Sequence, residues 1–414
     1  MNHYTHRQTC RVCAKTDLAC LIDFGQMPLA NSFLTSETEF SGERFYPLGL
    51  YYCRICGLVQ LLDVISPAVL FQDYIYVTGT SDTIAQHNIN YACTVVEELQ
   101  LGKKDLVVEV ASNDGSLLKC FQPYGIHVLG IEPAGNIASN ANQNGIRTEN
   151  TFFNLNSAGS ILKKYGSARA VIGNNVLAHV DEPRDFLSGM ALLVGHNGKV
   201  IIEVPYLKEL IDRLEYDTIY HEHLSYFSVS ALSKLFEKAG LSILKIERIP
   251  VHGGSLRISA GSSDVYNQHA DIVEMFLDAE RKSGMMSQEY FLDFVSKVET
   301  NRKTLVGMLQ GLKSQGKSIA GYGAPAKGNT LLNYCQISTD LLPYTVDKNP
   351  LKVGKLTPGM HIPVLPVETL LEQQPDVVLI LAWNFAEEII GQQEAYRKRG
   401  GRFIIPLPEP GAIQ

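Results

Sequence analysis

Tyr220-His221-Glu222-His223 sets a phenol, two imidazoles and a carboxylate in four consecutive positions, with Asp217 before them and Tyr226 after. In extended chain alternate side chains face the same way and neighbours splay apart, so no regular element aims all four groups into one pocket. The stretch follows Lys199-Val200-Ile201-Ile202-Glu203-Val204, an apolar strand pattern. Open α/β sheets place their chemistry beyond the carboxyl ends of such strands. A polar surface loop is the plain alternative; the position after the strand makes this the candidate catalytic loop. Imidazole, with an unperturbed pKa of about 6.5, is the side chain suited to accept a proton near neutral pH.

The elements that must hold this loop begin at Asp105, where apolar strands alternate with amphipathic helices as in a doubly wound parallel sheet. Leu106-Val107-Val108-Glu109-Val110 suits a central strand buried on both faces. It runs into the turn Ala111-Ser112-Asn113-Asp114-Gly115-Ser116, and the second strand, Val128-Leu129-Gly130-Ile131, ends in Glu132, 23 residues after Glu109. An acid at that strand end is the usual partner of two ribose hydroxyls. The turn departs from GxGxxG, with Ala111 and Asn113 in the first two glycine places and only Gly115 kept. A pyrophosphate needs the second glycine for close approach, so a dinucleotide is disfavoured. S-adenosylmethionine, which has no phosphate and carries cationic centres, fits the turn with Asn113 and Asp114. A third strand, Ala170-Val171-Ile172-Gly173, delivers Asn174, Asn175 and His179 to the same crevice.

Two further modules flank this one. Cys10-Arg11-Val12-Cys13 and Cys53-Arg54-Ile55-Cys56 are two CxxC knuckles, the second followed by Gly57. Together they offer a closed four-cysteine set of the structural zinc type; a redox CxxC would need a βαβ setting that is missing. After His252-Gly253-Gly254-Ser255-Leu256-Arg257 and a polar helical connector from His269 to Gln310, Lys317-Ser318-Ile319-Ala320 reads as a strand. Gly321 to Gly328 reads as a glycine turn containing Tyr322 and Lys327, and Tyr344-Thr345-Val346-Asp347 as a second strand with a terminal acid. Lys327 beside the helix N-terminus suits a pyrophosphate, and Arg257 a phosphate or carboxylate; simple turns are the structural alternative for both segments.

The chain has 414 residues and a formal net charge of −7, with 45% hydrophobic and 19% charged residues. Two or three domains are expected, and the acidic balance speaks against nucleic acid or an anionic membrane as partner. No apolar run approaches the ~20 residues of a membrane span, and the N-terminus lacks a signal-peptide pattern. A cytoplasmic protein is expected.

These motifs in this order resemble the sugar C-methyltransferases that act on dTDP-linked 4-keto-deoxyhexoses. The likeness spans essentially the whole chain: the paired CxxC knuckles, Tyr76 with Thr80-Ser81, EVASNDGSLL, NNVLAHV, YHEHLSYFS, HGGSLR and GYGAPAKGN. It implies an α/β protein with a zinc-binding domain over 1–75, a Rossmann-like S-adenosylmethionine domain over 76–260 and a C-terminal α/β domain over 261–414 that helps hold the sugar nucleotide. It also implies a reaction centre of Tyr220, Glu222, His223, Asn175 and His179. Tyr76, Ser81, Glu109, Ala111, Asn113, Asp114, Gly115, Glu132 and Asn174 are then cofactor residues, and Arg257, Tyr322 and Lys327 substrate residues. Cys10, Cys13, Cys53 and Cys56 are metal ligands. A monomer is expected.

The chemistry implied is removal of a proton from carbon beside the C-4 ketone, then in-line methyl transfer from S-adenosylmethionine to C-3 or C-5. His223 is the expected base, with Tyr220 as electrophile or alternative base, and His221 faces away in a structural hydrogen bond. Two other readings compete. An NAD-dependent sugar-nucleotide oxidoreductase would use the C-terminal glycine turn, but no YxxxK pair lies at a plausible spacing from it. A non-catalytic zinc adaptor would want a basic stripe.

Overall fold

Val107 and Val108 lie side by side on the strand Leu106–Val110 and are both fully buried, so the strand must be covered on its two faces. Val108 packs with Leu129, Leu187 and Leu193 on one side, and Val107 with Leu117, Phe121 and Ile172 on the other. The computed structural model describes residues 4–70, 82–250, 253–267, 270–285 and 287–413. Tyr76 and Ser81, expected at the cofactor, lie outside the described residues, as do Thr80 and His252.

Leu106–Val110 is an interior strand of a seven-stranded sheet whose spatial order is Leu241–Ile249, Ser255–Ser262, Lys199–Pro205, Ala170–Asn174, Leu106–Val110, His127–Ile131, Thr148–Glu149. The five strands from Lys199–Pro205 to Thr148–Glu149 are parallel, and Ser255–Ser262 runs antiparallel to both of its neighbours. The chain order reverses between Leu106–Val110 and Ala170–Asn174. At that switch point a crevice opens beyond the strand ends.

The N-terminal module is a four-stranded antiparallel sheet of Leu18–Pro28, Phe45–Cys53, Val59–Leu61 and Ser225–Tyr226. Its fourth strand therefore comes from the residues just after the YHEH loop.

The C-terminal unit is a six-stranded sheet in the order Val364–Leu365, Thr345–Val346, Ile319–Tyr322, Val377–Ile380, Arg402–Ile405, Gly411–Ile413, parallel except for the last pair. Here the sequence reading needs correction. The first strand runs on through Gly321 and Tyr322, which pair with Thr345 and Val346, and the helix Ala326–Cys335 starts three residues earlier than the pattern suggests. A Cβ on Gly321 would stand 2.6 Å from Thr345 Oγ1, so glycine serves strand packing there rather than a turn.

The segment from Leu207 to Tyr226 lies in a core shared between modules. Leu207, Leu210, Ile219 and Tyr226 pack with Leu48, Leu50 and Tyr52 of the N-terminal sheet and with Phe291, Leu305, Leu331 and Ile404 of the C-terminal part. Among the described residues no helix is long and apolar enough to cross a membrane.

Candidate active site

The four knuckle cysteines converge. Cys10 Sγ lies 3.4 Å from Cys56 Sγ and Cys13 Sγ 3.5 Å from Cys53 Sγ, and all four sulfurs lie within 4.8 Å of one another. Tetrahedral zinc with Zn–S of about 2.3 Å needs sulfurs about 3.8 Å apart, so the donor set and its spacing fit zinc. Each knuckle closes in the same way: Ala14 N–H donates to Cys10 O and Gly57 N–H to Cys53 O, both at 2.9 Å. Ala14 and Gly57 are both left-handed, at φ 59° and 80°. With four thiolates the metal has no open position and serves the fold.

Arg11, inside the first knuckle, ties the zinc module to the crevice. Its buried guanidinium donates from Nε to Asp181 Oδ1 at 3.1 Å, two residues beyond His179, and its amide donates to Gln60 Oε1 at 3.1 Å. Burial lowers its pKa to about 10, which leaves it charged near neutral pH.

At the switch point the turn after Leu106–Val110 is left-handed at Ala111 (φ 55°), Asn113 (φ 50°) and Gly115 (φ 76°). Glu132 holds it in place: its Oε2 accepts the Asn113 N–H at 3.0 Å and its Oε1 the Ala134 N–H at 2.8 Å. Asp114 Oδ1 accepts the Ser116 N–H at 3.1 Å. Glu109 is buried below with Oε2 unpartnered among the described residues. Burial, with Asp114, Glu132 and Glu203 nearby, lifts its carboxyl well above the ordinary value. Asp114 and Glu132 at this turn repel a pyrophosphate and suit a cationic cofactor. Asn174 Oδ1 accepts the Tyr91 hydroxyl at 3.4 Å.

Arg257 sits on the same sheet but is already engaged. Its Nε and Nη2 donate to Glu203 Oε1 at 2.7 and 2.6 Å, His87 Nε2 stands 3.2 Å from Glu203 Oε2, and the guanidinium stacks 4.0 Å from the Tyr91 ring centroid. The fork expected to meet an anion is thus spent on Glu203.

The YHEH loop leaves the region of Lys199–Pro205, makes a 3-10 turn over Tyr216–Thr218 and is stitched down at Leu224. Leu224 N–H donates to Ala178 O at 2.7 Å, and its carbonyl accepts the Leu61 N–H at 3.0 Å. One bond reaches the segment carrying His179, the other the zinc module. Within the loop, His223 Nδ1 lies 2.8 Å from Thr218 O. A carbonyl only accepts, so Nδ1 carries the proton, and in neutral imidazole Nε2 is then the acceptor. Tyr220 O–H donates to that Nε2 at 3.0 Å.

His179 stands edge-on to His223, ring centroids 4.8 Å apart. Burial first, and His223 second, push its pKa down to about 3, so it is a neutral imidazole. Its Nδ1 and the Oδ1 of Asn175 are buried without a partner among the described residues. Asn175 is left-handed at φ 53°, which turns the chain off the strand end.

Glu222 Oε1 accepts the Asn31 side-chain N–H at 2.6 Å, and burial lifts the Glu222 pKa to about 7. His221 is 2% exposed, donates from Nε2 to Pro47 O at 3.3 Å and faces the N-terminal module, away from the other three. Tyr322 is 3% exposed and packs with Ala320, Val346, Ile380 and Phe403 inside the C-terminal core, not in a cleft. Lys327 lies 4.1 Å from the Trp383 ring centroid and donates to Asn384 Oδ1, with Asp217 and Glu215 acting on its charge. A narrow cleft at Tyr220 is lined by Met27, Pro28, Ala30, Leu48, Asn329 and Asn333. A roomier cavity of about 500 Å³, at Leu21–Met27, Arg302 and Tyr334, shares only Met27 and Asn333 with it and holds none of the titratable loop residues.

Sequence reasoning passes over Asn31, Arg11 and Trp383. Arg11 has a signal, a cation within a CxxC knuckle, and so has Trp383, the chain's sole tryptophan at a strand end. Asn31 has none.

A parallel sheet with its switch-point turn ringed by acids, joined to a module that gathers four cysteines, defines a Rossmann-like S-adenosylmethionine-dependent methyltransferase with a zinc-binding domain. Residues 10–71 match the zinc binding domain, 84–246 a methyltransferase domain and 250–408 the C-methyltransferase C-terminal domain of known families. The C-methyltransferase NovU of Streptomyces niveus is 38% identical over 404 residues, covering 98% of this chain and 96% of that one. The chain belongs to the C-methyltransferase family. Among solved structures, the magnesium protoporphyrin IX methyltransferase of Synechocystis PCC 6803 with bound SAH has a TM-score of 0.34 at 17% identity, covering 43% of this chain and 83% of its own. An S-adenosylmethionine-dependent methyltransferase from Clostridium acetobutylicum ATCC 824 has a TM-score of 0.35 at 11% identity, covering 43% and 92%. Likenesses this loose carry no argument.

Proposed function

We propose that this C-methyltransferase acts on a dTDP-linked 4-keto-deoxyhexose, methylating C-3 or C-5 beside the ketone, with Tyr220 and His223 as the proton-transferring pair. The observation that carries the reading is the Thr218–His223–Tyr220 chain. Its Nδ1–H bond to a backbone carbonyl leaves the His223 lone pair on the Tyr220 hydroxyl. As Tyr220 oxygen takes the proton from carbon, its own proton passes to Nε2, so charge ends on the imidazole rather than on a phenol. The C–H electron pair moves into the ring as an enolate. Neutral His179 and the Asn175 amide are the donors for the enolate oxygen, a role in which one donor is worth about 2.7–4 kcal/mol. Glu222, its pKa lifted to about 7 by burial and its carboxyl held by Asn31, bonds a sugar hydroxyl.

S-adenosylmethionine, when bound, supplies the electrophilic methyl group. Glu132, Asn113, Asp114, Gly115, Ala111, Glu109 and Asn174 would hold it, together with Tyr76 and Ser81. Cys10, Cys13, Cys53 and Cys56 would hold zinc, which would brace the module carrying Arg11 and Asn31. The domain boundaries proposed are 1–75, 76–260 and 261–414, the last domain helping to hold the sugar nucleotide.

The test is methyl transfer to a panel of dTDP-4-keto sugars with product NMR. Tyr220→Phe and His223→Ala should each lose about 10²–10⁴-fold in kcat. Turnover within a few-fold of the parent in both variants overturns the assignment.

A further inference from the structure

One buried polar cluster stands apart from the reacting groups, where the C-terminal unit meets the start of the catalytic loop. Asp217 is fully buried, and its Oδ2 accepts the indole N–H of Trp383 at 2.6 Å. Lys327 Nζ lies over the Trp383 ring at 4.1 Å and donates to Asn384 Oδ1. Trp383 and Asn384 follow the strand Val377–Ile380, and Lys327 opens the helix after Ile319–Tyr322. This is the carboxyl-end crevice where a doubly wound unit would seat a ligand. Here it is filled by the protein's own chain. Asp217 first and Glu215 second act on Lys327, and the Asp217 carboxylate beside that lysine repels an incoming pyrophosphate.

What the cluster grips is the root of the proton-transfer pair. Asp217 lies within the 3-10 turn Tyr216–Thr218, fastened further by Thr218 Oγ1 donating to Glu215 O at 2.7 Å. The next carbonyl, that of Thr218, is the acceptor for His223 Nδ1–H. Moving that carbonyl frees the imidazole to rotate or change tautomer, and Tyr220 then loses its proton acceptor.

We infer that Trp383, Lys327 and Asn384 are positioning residues: the C-terminal unit holds Asp217 so that the Thr218 carbonyl keeps His223 in the tautomer that accepts the Tyr220 proton. The inference rests on the proposed roles of Tyr220 and His223. The grip acts on proton transfer, so it shows in kcat and not in substrate affinity.

The experiment compares the full-length zinc-loaded parent with Trp383→Phe, which keeps the ring and removes the N–H, and with Lys327→Met and Lys327→Arg. Trp383→Phe and Lys327→Met should lower kcat about tenfold, the kinetic equivalent of most of one charge-assisted hydrogen bond. KM for S-adenosylmethionine and for the dTDP sugar should stay within about twofold, and Lys327→Arg should recover most of the rate. Deuterium exchange into dTDP-4-keto-6-deoxyglucose with S-adenosylhomocysteine bound should slow in step with kcat, placing the defect at deprotonation. Trp383 is the sole tryptophan, so its emission reads the contact, and Asp217→Asn should shift it.

A tenfold rise in KM for the sugar with kcat intact makes Lys327 a pyrophosphate ligand and overturns the inference. Parental kcat in both Trp383→Phe and Lys327→Met also overturns it. If Trp383→Phe does not fold, Lys327→Met decides by the same split. Loss of activity in Tyr220→Phe alongside parental kcat in these variants sinks the grip alone; parental activity in Tyr220→Phe sinks the proposed proton transfer first.

Discussion

In the middle sheet, Glu132 accepts the amides of Asn113 in the preceding turn and of Ala134 two residues on, at 3.0 and 2.8 Å. In the C-terminal sheet, Asp347 accepts the amides of Ala324 in the preceding turn and of Asn349 two residues on, at 2.7 and 2.8 Å. The two α/β units thus share one clamp, an acid at the second strand end that holds the first turn. Their crevices differ. Beside Glu109 stand Glu132 and Asp114, an electronegative space that suits a cation. Beside Asp347, Lys352 Nζ donates to Ala324 O at 2.9 Å, and Lys327, Trp383 and Asn384 fill the remainder. Strand–turn–helix–strand–acid thus specifies a way of bracing a turn. Whether a ligand follows depends on what later segments put in the crevice.

The largest effect is expected from removing the zinc. The middle unit borrows Arg11 and Asn31 from the zinc module, and structural zinc contributes on the order of 10–16 kcal/mol of apparent folding energy in small domains. Stripping the metal with a chelator should abolish methyl transfer and lower the melting temperature sharply, with re-addition of zinc restoring both. Full activity in metal-free protein, verified by elemental analysis, would falsify the dependence. A smaller effect separates the two acids directly. Glu132→Ala should raise KM for S-adenosylmethionine about tenfold, the loss of a charge-assisted pair of hydrogen bonds, whereas Asp347→Ala should leave every KM near the parent value and only lower Tm. Equal effects on cofactor KM would erase the distinction drawn between the crevices.

The mildest effect concerns Glu222. Burial lifts its pKa from 4.5 to about 7 in the folded protein, so folding favours the protonated acid. That stability is complete below about pH 4.5 and drains away as pH rises through about 7. Glu222→Gln, which imitates the protonated form, should match the parent in Tm near pH 5 and exceed it by a few degrees near pH 8. A Tm difference that does not grow between those pH values would show that the carboxyl ionises freely.

Much of this is legible in the sequence, unevenly. The parallel middle sheet can be read because near-continuous apolar runs such as Leu106–Val110 are what two-sided burial demands. The four-cysteine set can be read because each knuckle is local. Pattern alone ends the first C-terminal strand two residues short, since Gly321 and Gly323 look alike as turn residues, and only pairing of Gly321 with Thr345 tells them apart. The same ambiguity sends Tyr322 to a cleft when it belongs to the core.

The sequence alone therefore determined the kinds of groups available and the elements bearing them, because periodicity and short spacings act within one element. It determined that two imidazoles, a phenol and a carboxylate would leave one strand end, and that His221 would part from the rest. Tertiary structure alone decided their partners. Asn31 meets Glu222 across 191 residues, Arg11 meets Asp181 across 170 and Trp383 meets Asp217 across 166. Contacts at such separations follow from how three modules pack around one shared core, and no local pattern in the chain carries that information.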